Sequence, residues 1–214
     1  MKDSIYTICY AVAVGTVCAG LLTGAAEFTA PYRAANQRAD AMRNILAVLE
    51  VPIGPRMSAE ELTRLYESRV RPETIGPLNV YRLLGDASEG GAELVAVDVV
   101  GPGLWGPIRG FVSLESDWTT IRGVTFHDHQ ETPGLGAEIS GEAFRSQFRG
   151  KQLLAEDRTP GLRVVSAGAQ GPLEVDGISG ATITCDRVGD LLRQLAEQIV
   201  AQRVGEQRVG EERP

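Results

Sequence analysis

A chain of 214 residues with 43% hydrophobic and 23% charged side chains is long enough for one good-sized core, and that composition excludes wholesale disorder. A net charge of −7 at pH 7 excludes a nucleic-acid binder, because no basic stripe is present to neutralise phosphates. Only Cys185 falls outside the apolar N-terminal stretch that holds Cys9 and Cys18. One thiol builds no disulfide framework, zinc site or iron–sulfur cluster, so any such centre belongs to another subunit.

From Ser4 to Ala26 there is no charged side chain, and at ~1.5 Å per residue this stretch makes about 35 Å of helix, enough to cross a hydrocarbon core. A cleaved signal peptide is the competing reading, with Lys2 as a thin basic end and small residues at 23–26. The uninterrupted length favours an anchor. Both readings carry the rest of the chain across the membrane, although Lys2 against Arg33 and Arg38 orients it only weakly. Cys18 is a poor lipidation site, since Gly15-Thr16-Val17 before it lacks a leucine.

Residues 34–50 predict an amphipathic helix with Ala39, Met42, Leu46 and Leu49 on one stripe. Pro52, Gly54 and Pro55 break it. Ser58 to Glu61 is a capping box opening a second short helix, with Leu62 and Leu65 inward. The period then changes. Residues 78–84, 92–100, 107–115 and 119–127 read as strands separated by Gly, Asp and Ser clusters, and their close spacing makes them antiparallel neighbours. A helix at 140–149, a strand at 162–168 and a long helix from about Thr184 to Gln202 follow. The tail repeats QRVGE and reads as a frayed end. The expected fold class is α+β, a single N-terminal transmembrane helix followed by a domain with an antiparallel sheet and packing helices.

The stretch that carries chemistry is Asp176-Gly177-Ile178-Ser179-Gly180-Ala181-Thr182. Residues 179–182 form a small-residue turn entering a helix, where unpaired N–H groups and the dipole favour an anion. Thr184 reads as an N-cap and Asp186 as its first-turn acid. On these local features alone an ordinary capped helix start is the simpler reading. A second stretch, His129-Gln130-Glu131-Thr132-Pro133-Gly134-Leu135-Gly136, sets a tight Pro-Gly turn whose glycines let backbone approach a flat ring. A hairpin turn without ligand is its plain alternative.

DGISGAT and H-x-E-T-P-G-L-G together resemble the FMN-binding domain family that includes the C subunit of the sodium-translocating NADH:quinone reductase and the G subunit of the Rnf complex. The stretch Gly103-Leu104-Trp105 resembles the quinone reductase form more than the Rnf form, and the order of anchor, G-L-W, ETPGLG and SGAT matches it over nearly the whole chain. The resemblance implies FMN joined by a phosphodiester to Thr182, installed from FAD by a separate flavin transferase with magnesium. It implies a cofactor site of Thr182, Ser179, Gly180, Ala181, Asp176, Glu131, Thr132, Leu135, Gly136 and Lys151, with Glu131 and Thr132 giving polar contacts. It implies no catalytic residue on this chain, single-electron transfer between redox centres of partner membrane subunits, and sodium export coupled to NADH oxidation by quinone. The soluble part is expected on the outer, periplasmic face of the inner membrane.

The expected organisation is a transmembrane anchor at 1–27 against lipid, a helical membrane-proximal segment at 28–75, the FMN-binding domain at 76–203 and a charged tail at 204–214. An Rnf-type subunit remains the first alternative. A non-redox tethered binding module is the second.

Other groups carry less. His127 and His129 share a strand face as a metal pair does, but no third or fourth ligand is evident, so no metal is expected. Cys185 reads as a small buried side chain near Thr182. Asp98, Glu115, Asp117 and Asp128 show no pairing suited to hydrolysis. Neither a Walker loop nor G-x-G-x-x-G is present, so NADH is expected to bind elsewhere in a complex.

Overall fold

The computed structural model describes residues 2–54, 56–84 and 93–211, with side chains for 5–54, 56–84 and 93–203. It divides into two compact units, residues 1–40 and 41–214.

Helix α1 (Lys2–Val48) makes up the described part of the first unit. It includes a stretch long and apolar enough to cross a membrane. Ile8, Leu21, Leu22 and Phe28 are exposed along it, which water disfavours and lipid does not. Pro31 lies inside the helix and removes one intrahelical donor. Nearby, the Thr29 hydroxyl bonds the carbonyl of Ala25 at 2.9 Å and the Arg33 guanidinium that of Ala26 at 3.0 Å.

In the second unit the last turns of α1 bury Ile45, Leu46 and Val48, with Leu49 just beyond. The helix ends in a Schellman arrangement, with Val51 N–H on Leu46 O at 2.9 Å and Glu50 N–H on Ala47 O at 3.1 Å. Glu50 takes the left-handed position, φ 59°, where glycine is usual. Its carboxylate pairs with Arg122 at 2.7 Å. The capping box forms as expected: Ser58 N–H donates to Glu61 Oε2 at 2.8 Å and Glu61 N–H to Ser58 Oγ at 3.2 Å, opening α2 (Ala59–Arg69).

Five strands follow as an antiparallel meander in sequence order: β1 (Val70–Ile75), β2 (Leu78–Leu83), β3 (Val95–Pro102), β4 (Pro107–Leu114) and β5 (Ile121–Asp128). Four were expected; Ala92, the first residue of one of them, lies outside the described residues. Strand β1 falls in the segment expected to be helical. It carries Pro72, which a sheet tolerates on an edge. Ile75 pairs with Leu78 across Gly76-Pro77, and Gly76 supplies the positive φ of 55° that a two-residue hairpin loop requires.

Beyond the sheet come a 3₁₀ turn (Gly136–Ser140), α3 (Glu142–Arg145) and a second 3₁₀ turn (Ser146–Phe148). The helix expected over 140–149 is thus broken into short pieces, with Phe144 and Phe148 buried. A two-stranded parallel ribbon joins β6 (Arg163–Val165) to β7 (Glu174–Asp176); β7 was not expected. Helix α4 (Thr182–Glu211) closes the fold. Residues 204–211, expected as a frayed tail, are helical, and 212–214 lie outside the described residues.

Alternation along the strands sends Val95, Val97, Val99, Ile108, Val112 and Leu114 into one core with Val188, Leu192 and Leu195 of α4. Leu191 lies 3.1 Å from where a Cβ on Gly101 would stand, so α4 sits directly on β3. The opposite sheet face meets the end of α1, where Val48 lies 3.5 Å from the Cβ position of Gly123. Leu192 has no exposed surface. Leu192→Ala should lower stability by about 2–5 kcal/mol, read as a shifted urea midpoint for the detergent-solubilised chain.

Candidate functional site

Three connections converge at one end of the sheet. The β3–β4 connection is a four-residue loop closed by Gly103 N–H on Gly106 O at 2.8 Å. The chain after β5 makes a turn in which Leu135 N–H bonds Thr132 O at 3.1 Å, with Gly134 at φ 75°. Proline second and a positive-φ glycine third is the type II pattern. The turn enters the 3₁₀ segment rather than forming the hairpin that was the plain alternative. Before α4, Ala181 N–H bonds Ile178 O at 3.0 Å, with Gly180 at φ 79°, so a second glycine-dependent turn faces the first. A Cβ on Gly180 would stand 3.1 Å from Leu135 Cδ2.

Helix α4 starts immediately after this turn. Cys185 N–H on Ala181 O, 3.0 Å, is its first intrahelical bond, which leaves the amides of Thr182, Ile183 and Thr184 ahead of the ladder at the positive end of the helix. Thr182 is exposed there. Thr184, expected as the N-cap, is instead inside the first turn and buried, and its hydroxyl donates to Glu131 Oε2 at 2.6 Å.

Glu131 is 5% exposed and accepts on both oxygens: Oε2 from Thr184, and Oε1 from Leu104 N–H at 2.7 Å and Trp105 N–H at 3.5 Å. Its carboxylate therefore joins the 103–106 loop to α4. Two glycines make room. A Cβ on Gly103 would lie 2.4 Å from Glu131 Oε1, and one on Gly136 would lie 2.5 Å from Thr184 Oγ1 and 2.7 Å from Glu131 Oε2. Glu131 N–H is held by His129 Nδ1 at 3.3 Å, and His129 Nε2 meets Ser140 Oγ at 2.8 Å. Because Ser140 Oγ itself donates to Phe126 O, His129 is fixed as a donor at Nε2 and an acceptor at Nδ1. His127 stacks on Phe111 with the rings 8° from parallel.

Leu104, Glu131, Thr132, Leu135, Gly136, Gly180, Ala181, Thr182, Ile183 and Thr184 line an open cleft. Seven of the ten expected site residues are here, and three are not. Ser179 sits exposed in the turn without lining the cleft. Asp176 is used elsewhere: its carboxylate accepts from Ala169 N–H at 2.7 Å, and its own amide donates to Gln147 Oε1 at 2.8 Å. Lys151 donates to Gly171 O at 2.7 Å. Leu104, Ile183 and Thr184 were not anticipated as lining residues. Leu104 lies inside the G-L-W stretch, which was the available signal; Thr184 was read only as a cap. Cys185 is buried, and its Sγ accepts from Ile178 N–H at 3.2 Å, fastening the motif turn to α4. Burial raises its thiol pKa, outweighing the opposing Ile178 hydrogen bond.

The cleft lies in a domain of a known class: residues 103–197 match the family described as the FMN-binding domain. The chain is 30% identical to the C subunit of the Na(+)-translocating NADH-quinone reductase of Yersinia pestis, an alignment covering 87% of this chain and 86% of that protein. It belongs to the family of that C subunit. With the corresponding protein of Vibrio anguillarum it is 44% identical over 44% of this chain and 38% of that one. The crystal structure of the corresponding protein from Parabacteroides distasonis superposes with a TM-score of 0.67 at 27% identity, covering 80% of this chain and 94% of that one.

A raised thiol pKa leaves less thiolate at any given pH and burial blocks access. Cys185 should therefore resist iodoacetamide at pH 8 in the native chain and react fully in urea, as peptide mass mapping will read.

Proposed function

We propose that this chain is a covalent-FMN electron-transfer subunit of a membrane-bound, redox-driven sodium pump of the NADH:quinone oxidoreductase type, with FMN esterified to Thr182. The observation that carries this reading is the meeting of the ETPGLG and SGAT turns at one cleft, with Thr182 exposed at the opening of α4. The residues fit the group. The amides of 182–184 and the helix dipole suit a phosphate. Leu104, Leu135 and Ile183, 45%, 43% and 51% exposed, offer apolar surface to a flat ring.

Attachment needs no redox change. The Thr182 oxygen attacks the FMN-side phosphorus of FAD, a phosphorus–oxygen bond to Thr182 forms, and the pyrophosphate bridge breaks. AMP leaves with the bonding pair, and the hydroxyl proton passes to solvent or to a base on the flavin transferase. FMN supplies one-electron chemistry when bound. The chain's own residues hold the phosphate, flank the ring and fix the three loops.

Residues 1–27 serve in this reading as a lipid-embedded anchor, with the FMN-bearing part on the outer face beside the other membrane subunits. A tether suits that side, where no flavin pool exists for rebinding.

Thr182→Ala should abolish in-gel flavin fluorescence while leaving the unfolding free energy from urea titration within about 0.5 kcal/mol of wild type, because an exposed side chain contributes little to the core. Fluorescence persisting on that band assigns the attachment elsewhere. Expression without a flavin transferase should yield colourless protein; yellow protein would contradict enzymatic attachment.

A further inference from the structure

We infer that Glu131 is a positioning residue for modification of Thr182: its buried carboxylate clasps the 103–106 loop to the first turn of α4, and this holds the cleft open in the form a flavin transferase accepts. The inference rests on the proposed flavin site but assigns Glu131 a role other than ligand contact.

Three observations carry it. Both carboxylate oxygens are committed to protein donors, the amides of Leu104 and Trp105 and the hydroxyl of Thr184, while Glu131 itself is 5% exposed. Thr184 is two residues from Thr182 in the same helical turn, so its anchor fixes the turn that bears the modified oxygen. The space around the carboxylate is cleared by Gly103 and Gly136, at each of which a methyl group would press within 2.7 Å of a Glu131 oxygen. Removing a buried acceptor with this many donors leaves each of them unpaired in the interior, which is strongly unfavourable. The carboxylate is held in turn by its own backbone, where His129 and Ser140 tie residue 131 to the end of β5. Loop, turn and helix are thus referred to one side chain.

Glutamine can replace most of this. Its oxygen accepts from the two amides, and its NH₂ donates to Thr184 Oγ1. Alanine cannot, and Thr184→Val removes a single hydroxyl at constant shape.

The test uses the full chain in detergent, purified without flavin, and its Glu131→Gln, Glu131→Ala and Thr184→Val variants. Each is incubated with purified flavin transferase, FAD and magnesium over a range of acceptor concentrations. Hydrogen exchange at the Leu104 and Trp105 amides is read on the same samples before flavin addition. Glu131→Gln should retain kcat/KM for flavinylation within about threefold, and Thr184→Val should lose about tenfold. Glu131→Ala should lose about 100-fold, the scale expected for a misplaced reacting group. Exchange at Leu104 and Trp105 should accelerate in Glu131→Ala while the β3 and β4 amides stay protected.

Wild-type flavinylation rates in both Glu131→Ala and Thr184→Val would overturn the inference. So would losses in both that merely follow lost protection across the whole sheet. If the wild-type chain accepts no flavin, the flavin-site reading fails separately, and the clasp is then decided by exchange alone: Leu104 and Trp105 protection indifferent to residue 131 refutes it.

Discussion

A carboxylate withdrawn from water beneath an open cleft, with two backbone amides on one oxygen and a threonine hydroxyl on the other, is the constraint on which the rest of this site depends. Burying such a group is unfavourable unless its hydrogen bonds are made. The fold meets that condition by bringing the β3–β4 loop, the turn after β5 and the start of α4 to one point. Each of the three would otherwise be an ordinary surface connection. Joined through Glu131, they become the walls of a single concavity with an exposed threonine on its lip.

The rest of the second unit can be read as what keeps those connections in register. The meander fixes the separation of the β3–β4 loop from the end of β5. Helix α4 lies on β3 through Leu191, Leu192 and Leu195, which sets where its first turn stands. Cys185 pins the incoming turn to that helix from below, by accepting the Ile178 amide. Asp176 and Lys151 do similar work further away, each holding a loop around the β6–β7 ribbon. Motif residues therefore divide into those that face the cleft and those that hold it.

Much of this was legible in the sequence, and the exceptions have physical reasons. Period-two alternation located β2 to β5, and the Ser58–Glu61 capping box located the start of α2, because both signals are local. Strand β1 was not legible: Pro72 argues against a strand unless the strand is known to be an edge, which is a fact of tertiary placement. Strand β7, three residues long, is too short to show a period. The helix expected at 140–149 is divided into 3₁₀ and α pieces, although Phe144 and Phe148, four residues apart, both face Phe126 as one helical stripe would. At the site, the two motifs marked turns that meet at one cleft. They could not say which side chains face outward. In sequence Glu131 reads as a polar contact to a ligand and Thr184 as a helix cap, and the pairing between them is visible only in their 2.6 Å contact.

Thr182, exposed at the start of α4 and proposed as the carrier of a flavin nucleotide, is the point on which the functional reading stands. The most direct measurement is the intact mass of the chain purified from a host that makes a flavin transferase, followed by fragmentation of the peptide containing residues 176–187. The expected result is the mass of the polypeptide plus one FMN less one water, located on Thr182. A chain with the mass of its polypeptide alone, or a flavin located on another residue, would contradict it.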